Sequence, residues 1–94
     1  MDTKHYKAYI QIGLNIKRYR KEQGITQEQL AEMIGRSRNQ IQRVETAYVA
    51  PTVALLLDVS EALNVPLERL IESENEHLHF AGAFFIGGRY ELRI

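Results

Sequence analysis

Four polar side chains near the middle of the chain could bind the edges of base pairs in DNA. They are Arg38, Asn39, Gln42 and Arg43. Arginine pairs well with guanine in the major groove, and asparagine and glutamine pair with adenine, because their donors and acceptors match those of the base edges. The spacing of the four residues places them on one side of a helix. The pattern therefore predicts a helical surface that is chemically suited to a major groove.

A short helix must carry these residues, and its start is indicated by Ser37, with Gln40 three residues later. Serine followed by glutamine at this spacing is the capping-box arrangement, in which each side chain bonds to the backbone N–H of the other residue. Ile41 and Val44 then supply a buried stripe about one turn apart. With these two facing inward, the four polar side chains are left on the outer face.

A second short helix is predicted just before this one. Thr26 and Gln29 repeat the capping box, and the apolar residues that follow form an inward face. Ala31 is the small residue that two helices crossing through a short turn require, and Gly35 supplies a residue that tolerates positive φ in the turn. The spacing therefore predicts two capped helices around a tight turn.

Residues 26 to 47 resemble the helix-turn-helix of the Cro and phage-repressor family, often called XRE-type. The family pattern T-Q-x-x-L-A-x-x-x-G-x-S-x-x-x-I-x-x-x-E is matched at Thr26, Gln27, Leu30, Ala31, Gly35, Ser37, Ile41 and Glu45. The resemblance covers roughly residues 10 to 71 and implies a five-helix DNA-binding domain. It also implies that Gln27 meets the phosphate backbone at a helix N-terminus, while the four outer residues lie on the recognition helix. The predicted DNA-binding residues are Gln27, Arg36, Ser37, Arg38, Asn39, Gln42 and Arg43.

The sequence departs from the family pattern in three places. The position after Gly35, usually apolar, is Arg36, which is expected to point outward either as an extra phosphate contact or as a solvated arginine. Ala47 occupies the position after the recognition helix at which the family usually has glycine. The loop that follows, Tyr48-Val49-Ala50, has no charge where the family often has phosphate-binding residues. We therefore expect weaker contact with the phosphate backbone on that side.

Other residues are expected to have structural roles. Arg20 and Glu45 match family positions that form an ion pair between the first helix of the domain, here called helix 1 and predicted from Tyr6, and the recognition helix; we expect that role rather than DNA contact. Met33 is expected to fill a gap in the core. The aromatic residues of helix 1 are expected in the core rather than stacked on bases; they are Tyr6, Tyr9 and Tyr19.

Five helices are predicted in residues 1 to 72, which we take as the DNA-binding domain. Helix 1 covers Tyr6 to Tyr19 with Gly24 as its stop, and helix 4 begins at Pro51 and Thr52 and runs through Leu63. Pro66 is predicted at the first position of a short fifth helix that includes Ile71. The predicted fold class is an all-α repressor-like domain followed by a short C-terminal β-hairpin.

Residues 73 to 94 are predicted to form that hairpin and to serve as a dimerisation tail. Gly87-Gly88 between apolar runs is a two-residue turn signal. The turn would pair Ile86 with Arg89, Phe85 with Tyr90, Ala83 with Leu92 and Ala81 with Ile94. One uncharged face would carry Ala81, Ala83, Phe85, Tyr90, Leu92 and Ile94. Because a lone hairpin is marginal in water, this face must pack on the helices or pair with another copy of the chain.

Length and composition limit the classes of function. The chain has 94 residues, 26% charged and 45% hydrophobic, which suits one globular domain. There is no cysteine, so disulfides and thiolate metal sites are excluded. The net charge is zero, yet residues 1 to 43 carry nine basic and four acidic residues (9 − 4 = +5) and residues 44 to 94 carry three and eight (3 − 8 = −5). A basic segment favours an anion-binding surface, although solvated helix faces give the same imbalance.

The sequence predicts no enzyme, cofactor or metal site, because it contains no catalytic constellation and His77 and His79 lack a third ligand. No signal peptide or membrane span is predicted, and a cytoplasmic location is expected.

The favoured function is a transcriptional regulator that binds double-stranded DNA sequence-specifically. It is expected to act as a homodimer on a two-fold operator, as a repressor rather than an activator. A restriction-modification controller or an antitoxin would be variants of this function. The alternative is a protein-interaction module, supported by the uncharged loop and the apolar run 54 to 57.

Overall fold

A computed structural model describes residues 4–73, 83–86 and 89–92 of the chain. Its elements, in chain order, are α1 (Tyr6–Glu22), α2 (Gln27–Ile34), α3 (Arg38–Glu45), α4 (Val53–Leu63), α5 (Leu67–Leu70), β1 (Ala83–Ile86) and β2 (Arg89–Leu92). The five helices follow the order predicted from the sequence. Among the residues described, no helix is both long and apolar enough to span a membrane.

The starts of α2 and α3 are fixed by two equivalent capping boxes. The Thr26 hydroxyl accepts the Gln29 backbone N–H at 3.0 Å, and the Gln29 side chain accepts the Thr26 N–H at 2.9 Å. Ser37 and Gln40 form the same pair of bonds at 3.2 and 2.9 Å. Both boxes are as predicted, and each satisfies two N–H groups that would otherwise lack a partner at the helix start.

The turn between α2 and α3 depends on a left-handed residue. Gly35 has φ 69°, and its N–H bonds to the Glu32 carbonyl at 3.3 Å while the Arg36 N–H bonds to the Ala31 carbonyl at 2.9 Å. Residues with a side chain are disfavoured at this φ, whereas glycine adopts it freely. The predicted role of Gly35 is confirmed.

Several helix boundaries differ from the prediction by one to three residues, and α1 extends to Glu22 rather than Tyr19. Pro51 precedes α4, and the Thr52 hydroxyl caps that helix by accepting the Leu55 N–H at 3.1 Å. Pro66 caps α5 with an extended ψ of 144° and is not its first helical residue. Ile71 lies just after α5 and is half exposed, so the prediction that the helix includes it was wrong.

The core lies where α1 to α5 converge. Six side chains are almost completely buried: Ile16, Leu30, Ile41, Val59, Leu63 and Leu70. Each helix contributes at least one of them, so the short helices are stabilised mainly by packing. This shared core fixes the orientation of α3 relative to the other helices.

Two predicted core side chains lie at the surface instead. Tyr6 is 43% exposed and Met33 is 52% exposed, so both expectations were wrong. Of the α1 residues, Ile12, Ile16 and Tyr19 pack in or against the core, which leaves the first turn of the helix beyond it. Tyr19 is partly buried there as predicted, whereas Tyr9 is only half-buried and outside the core cluster.

The strands β1 and β2 are antiparallel. The paired residues are Ala83 with Leu92, Phe84 with Glu91, Phe85 with Tyr90 and Ile86 with Arg89. This is the register that a turn at Gly87-Gly88 would impose. The turn itself lies outside the described residues, as do the Ala81–Ile94 pair, His77 and His79. The complete hairpin and its packing therefore stay predictions.

Candidate nucleic-acid interface

The third helix separates apolar and polar side chains between its two faces. Ile41 and Val44 are 1% and 5% exposed on the inner face. The outer face carries exposed polar side chains at Arg38, Asn39, Gln42 and Arg43. These four predicted residues therefore lie together on one solvent-facing surface. Their donors are available to a ligand that approaches α3 from outside the core.

A buried ion pair joins this helix to α1. The guanidinium of Arg20 donates to both carboxylate oxygens of Glu45, from Nε at 2.7 Å and from Nη2 at 2.9 Å. Its Nη1 donates to the Ile25 carbonyl at 2.8 Å. Arg20 and Glu45 are only 6% and 5% exposed, and this confirms the predicted pair. Because both charges are desolvated, removal of one would leave the other buried without its partner.

Gln27 extends the same network to the first residue of α2. Its Nε2 donates to Glu45 Oε1 at 2.9 Å. A side-chain amide carries two N–H donors, so the second remains available for a ligand. Gln27 borders an open groove of about 450 Å³. The groove is lined by Arg20, Lys21, Gly24, Ile25, Thr26, Gln27, Glu28 and Arg38.

Arg36 faces α4. Its Nη2 lies 3.3 Å from Asp58 Oδ2, and the side chain is 28% exposed. Its Nε is buried and has no hydrogen-bond partner within the described part of the chain. The expectation that Arg36 points outward was therefore wrong, because α4 packs beside the turn and brings Asp58 within reach of its guanidinium. A phosphate contact by Arg36 stays a prediction.

Ser37, the remaining predicted residue, is exposed at the start of α3. Its hydroxyl accepts the Gln40 N–H within the capping box. The side chain therefore has a structural function in the absence of any ligand, and its contact with DNA stays a prediction.

The chain leaves α3 through a residue in the left-handed conformation. Ala47 has φ 60° and is buried, although the family usually has glycine there. The Tyr48 N–H bonds to the Arg43 carbonyl at 2.8 Å, and the Ala47 N–H bonds to the Val44 carbonyl at 3.1 Å. These two bonds form a Schellman motif. Tyr48 is 70% exposed, and the Arg43 guanidinium carbon lies 5.6 Å from the centroid of its ring.

Gly13 sets the position of α3 against α1, although it was not identified as a functional residue from the sequence. A Cβ at Gly13 would lie 2.6 Å from the carbonyl oxygens of both Val44 and Glu45. Such distances are far below van der Waals contact, so the two helices approach each other only because residue 13 has no side chain. A glycine inside an otherwise helical pattern was the signal available in the sequence.

Asn15 was also missed. It is 4% exposed, and its Nδ2 donates to the carbonyls of Leu70 at 3.0 Å and Glu72 at 2.7 Å. Its Oδ1 accepts the Gln11 Nε2 at 2.9 Å. The side chain therefore binds the C-terminal end of α5 to α1. An asparagine directly before the buried Ile16 was the only sequence signal for this contact.

Comparison with known proteins identifies similar sequences. A helix-turn-helix family model matches residues 16–70. HTH-type transcriptional regulator SinR of Bacillus subtilis (strain 168) is 33% identical over 66 residues, which are 69% of this chain. The matched segment spans 60% of the length of that relative.

Two solved structures share the fold. One is the restriction-modification controller protein C.AhdI from Aeromonas hydrophila, with a TM-score of 0.67, 25% identity, and coverage of 69% of this chain and 98% of that one. The other is the P22 c2 repressor protein in complex with a synthetic operator, with a TM-score of 0.60 and 32% identity. It covers 64% of this chain and 91% of the repressor chain. Both match about two thirds of the present chain.

Proposed function

The chain belongs to the helix-turn-helix family of the Cro and phage-repressor (XRE) type, and on this premise we propose that it is a sequence-specific transcriptional regulator that binds double-stranded DNA. The observation that carries the proposal is the outer face of α3, where four polar side chains are exposed together. Arginine, asparagine and glutamine are the side chains that distinguish base pairs in the major groove. In this role α3 is the recognition helix, with Arg38, Asn39, Gln42 and Arg43 facing the bases.

Phosphate contacts are assigned to the start of α2. Gln27 has a second amide N–H besides the one it donates to Glu45, and Lys21 and Arg38 border the same groove. A phosphate in this groove would meet two cations and the N-terminal end of α2. Ser37 and Arg36 are the two further contacts that we propose, from the start of α3 and the preceding turn.

The loop after α3 contributes less to affinity than it does in many relatives of this type. Residues 48 to 50 contain no cation, so they add no counterion release when DNA binds. Salt-dependent affinity must then come from the basic residues of α1 and from the starts of α2 and α3. This distribution predicts a modest salt dependence for a protein of this type.

A homodimer on a two-fold operator is the proposed active form. One short recognition helix contacts too few base pairs to be selective, and a second subunit supplies a second half-site. We assign dimerisation to residues 73 to 94, with residues 1 to 72 as the DNA-binding domain. Repression is the favoured outcome because occupation of a promoter is sufficient for it. Controller and repressor are also the names of the two structural neighbours.

Deletion of residues 73 to 94 tests the dimer. The truncated protein should sediment as a monomer, retain weak salt-sensitive binding to any duplex and lose most of its affinity for a two-fold site. A truncated protein that remains dimeric would refute the assignment of the interface to the tail.

A protein-binding role is the second candidate, and one observation favours it. Val53 and Leu57 lie one turn apart on α4 and are 68% and 50% exposed. Leu55 and Leu56 are in the core, so within the expected apolar run 54 to 57 only Ala54 and Leu57 are exposed. The exposed side chains of Val53 and Leu57 at this spacing could bind a partner or a second copy of the chain.

Binding to a random-sequence duplex separates the two candidate functions. Fluorescence anisotropy at low salt should show binding that is lost as salt is raised. Arg38→Glu on α3 should weaken it several-fold, whereas Arg69→Glu makes the same charge change on α5 and should have little effect. An absence of binding at low salt, or equal losses in the two variants, would contradict DNA binding through α3.

A further inference from the structure

We propose that Tyr48 is a positioning residue that holds Arg43 in the orientation it uses to bind a base. The inference rests on the proposed function and extends it to a residue outside the helix-turn-helix pattern. It is drawn from the backbone closure at the end of α3 and from the contact between the two side chains.

The backbone places Tyr48 beside Arg43. Ala47 adopts φ 60°, which turns the chain back over the last turn of α3. The N–H groups of Tyr48 and Val49 then both donate to the Arg43 carbonyl, at 2.8 and 3.3 Å. Residue 48 is therefore bound to the backbone of the residue whose side chain it contacts. A hydrophobic contact between the corresponding positions frequently accompanies this type of helix end, and here the contact is between a cation and a ring.

The side chains meet in a cation–π arrangement. The guanidinium carbon of Arg43 lies 5.6 Å from the centre of the Tyr48 ring, within the range of that interaction. Tyr48 is 70% exposed, so burial in the core does not explain the position of its ring. What the ring provides instead is a flat, electron-rich surface for the arginine beside it.

This contact reduces the entropy that an exposed arginine loses when it binds a base. An exposed arginine has several rotatable bonds, and binding in one orientation costs the entropy of the others. The backbone bonds fix the position of residue 48, and a ring placed there beside Arg43 reduces the number of orientations of the arginine before DNA arrives. Since only an interaction with a base depends on the fine orientation of Arg43, the benefit should appear as selectivity rather than as general affinity.

Four variants, Tyr48→Leu, Tyr48→Phe, Arg43→Ala and the Tyr48→Leu/Arg43→Ala double variant, test the proposal on a duplex selected from a random pool and on a random duplex. Tyr48→Leu keeps apolar bulk without the π surface and should lower the ratio of the two affinities about two- to fivefold. Tyr48→Phe keeps the ring and should preserve the ratio. Tyr48→Leu added to Arg43→Ala should cause no further loss of selectivity, because the residue that it positions is absent. Thermal melting should be nearly the same for all, since the ring is exposed.

A second measurement needs no DNA. Relaxation of the Arg43 Nε–H in the free protein reports the order of that side chain on a fast timescale, and the order should fall in Tyr48→Leu but not in Tyr48→Phe. Unchanged order in Tyr48→Leu would overturn the proposal whatever the protein binds. A loss in Tyr48→Phe equal to that in Tyr48→Leu would also overturn it, because the hydroxyl would then be the contacting group. If the unchanged protein showed no DNA binding at all, the proposed function itself would fail, and this inference with it.

Discussion

The two faces of α3 carry polar groups in opposite situations. On the inner face, Glu45 is 5% exposed and accepts hydrogen bonds from Arg20 and Gln27. On the outer face, four polar side chains are exposed to solvent. A buried carboxylate must be paired to be tolerated, whereas an exposed amide or guanidinium can exchange water for a ligand. Polarity alone therefore does not identify the binding residues; burial separates those that hold the helix from those available to a ligand.

The largest effect is expected on the inner face. Glu45→Ala leaves the Arg20 guanidinium buried without its carboxylate and should reduce the free energy of unfolding by about 3 to 5 kcal/mol. The control is Glu72→Ala, which removes a more exposed pair with Arg69 at 3.8 Å and should cost about 0.5 kcal/mol or less. Urea denaturation measures both. Similar small losses in the two variants would mean that the buried pair does not hold α3 on α1.

The second largest effect on stability is expected at Gly13, where α1 approaches the inner face of α3. Alanine in place of glycine usually stabilises a helix by about 1 kcal/mol. At Gly13 we expect the opposite sign, a loss of about 1 to 3 kcal/mol, because the new methyl group would overlap two carbonyls of α3. Lys17→Ala, at an exposed position of the same helix, should change stability by about 0.5 kcal/mol or less. Stabilisation by Gly13→Ala would show that the helices are farther apart than described.

The turn that sets the angle of the outer face depends on Gly35. Gly35→Val should lower the stability by about 1 to 2 kcal/mol or more, because a β-branched residue resists φ 69°. No atom lies within 4 Å of the Cβ position, so the cost comes from the backbone alone. Gly35→Asn should lose less, since asparagine tolerates this region. Equal melting temperatures for the valine variant and the unchanged protein would contradict the role of the turn.

Several parts of this arrangement were predictable from the sequence because they depend on local spacing. Capping boxes and the glycine turn involve residues three or four positions apart, and the Arg20–Glu45 pair follows from the family resemblance. Gly13 and the Arg36–Asp58 pair were not predicted, because each depends on the packing of helices distant in sequence. Tyr6 was misplaced because helical periodicity does not show where along a helix the core ends.

The smallest effect is expected at Ala47, the buried left-handed residue just after the end of α3. Ala47→Gly relieves a left-handed alanine, worth about 1 to 2 kcal/mol. It also removes a buried methyl group, worth about 0.8 kcal/mol, and adds chain entropy worth about 0.5 to 1 kcal/mol. These contributions nearly cancel, so the free energy of unfolding should change by less than about 1 kcal/mol. A larger loss would mean that the Ala47 methyl group fills a space essential for the packing of α3.

The most direct test of the central claim compares binding to a selected and to a random duplex. Arg43→Ala and Asn39→Ala should each lose about 1 to 3 kcal/mol on the selected duplex and much less on the random one, because outer-face residues bind base edges. Gln27→Ala should weaken both by similar factors, because a phosphate contact carries no sequence information. Equal losses on both duplexes for Arg43→Ala and Asn39→Ala would contradict the claim that the outer face of α3 recognises sequence.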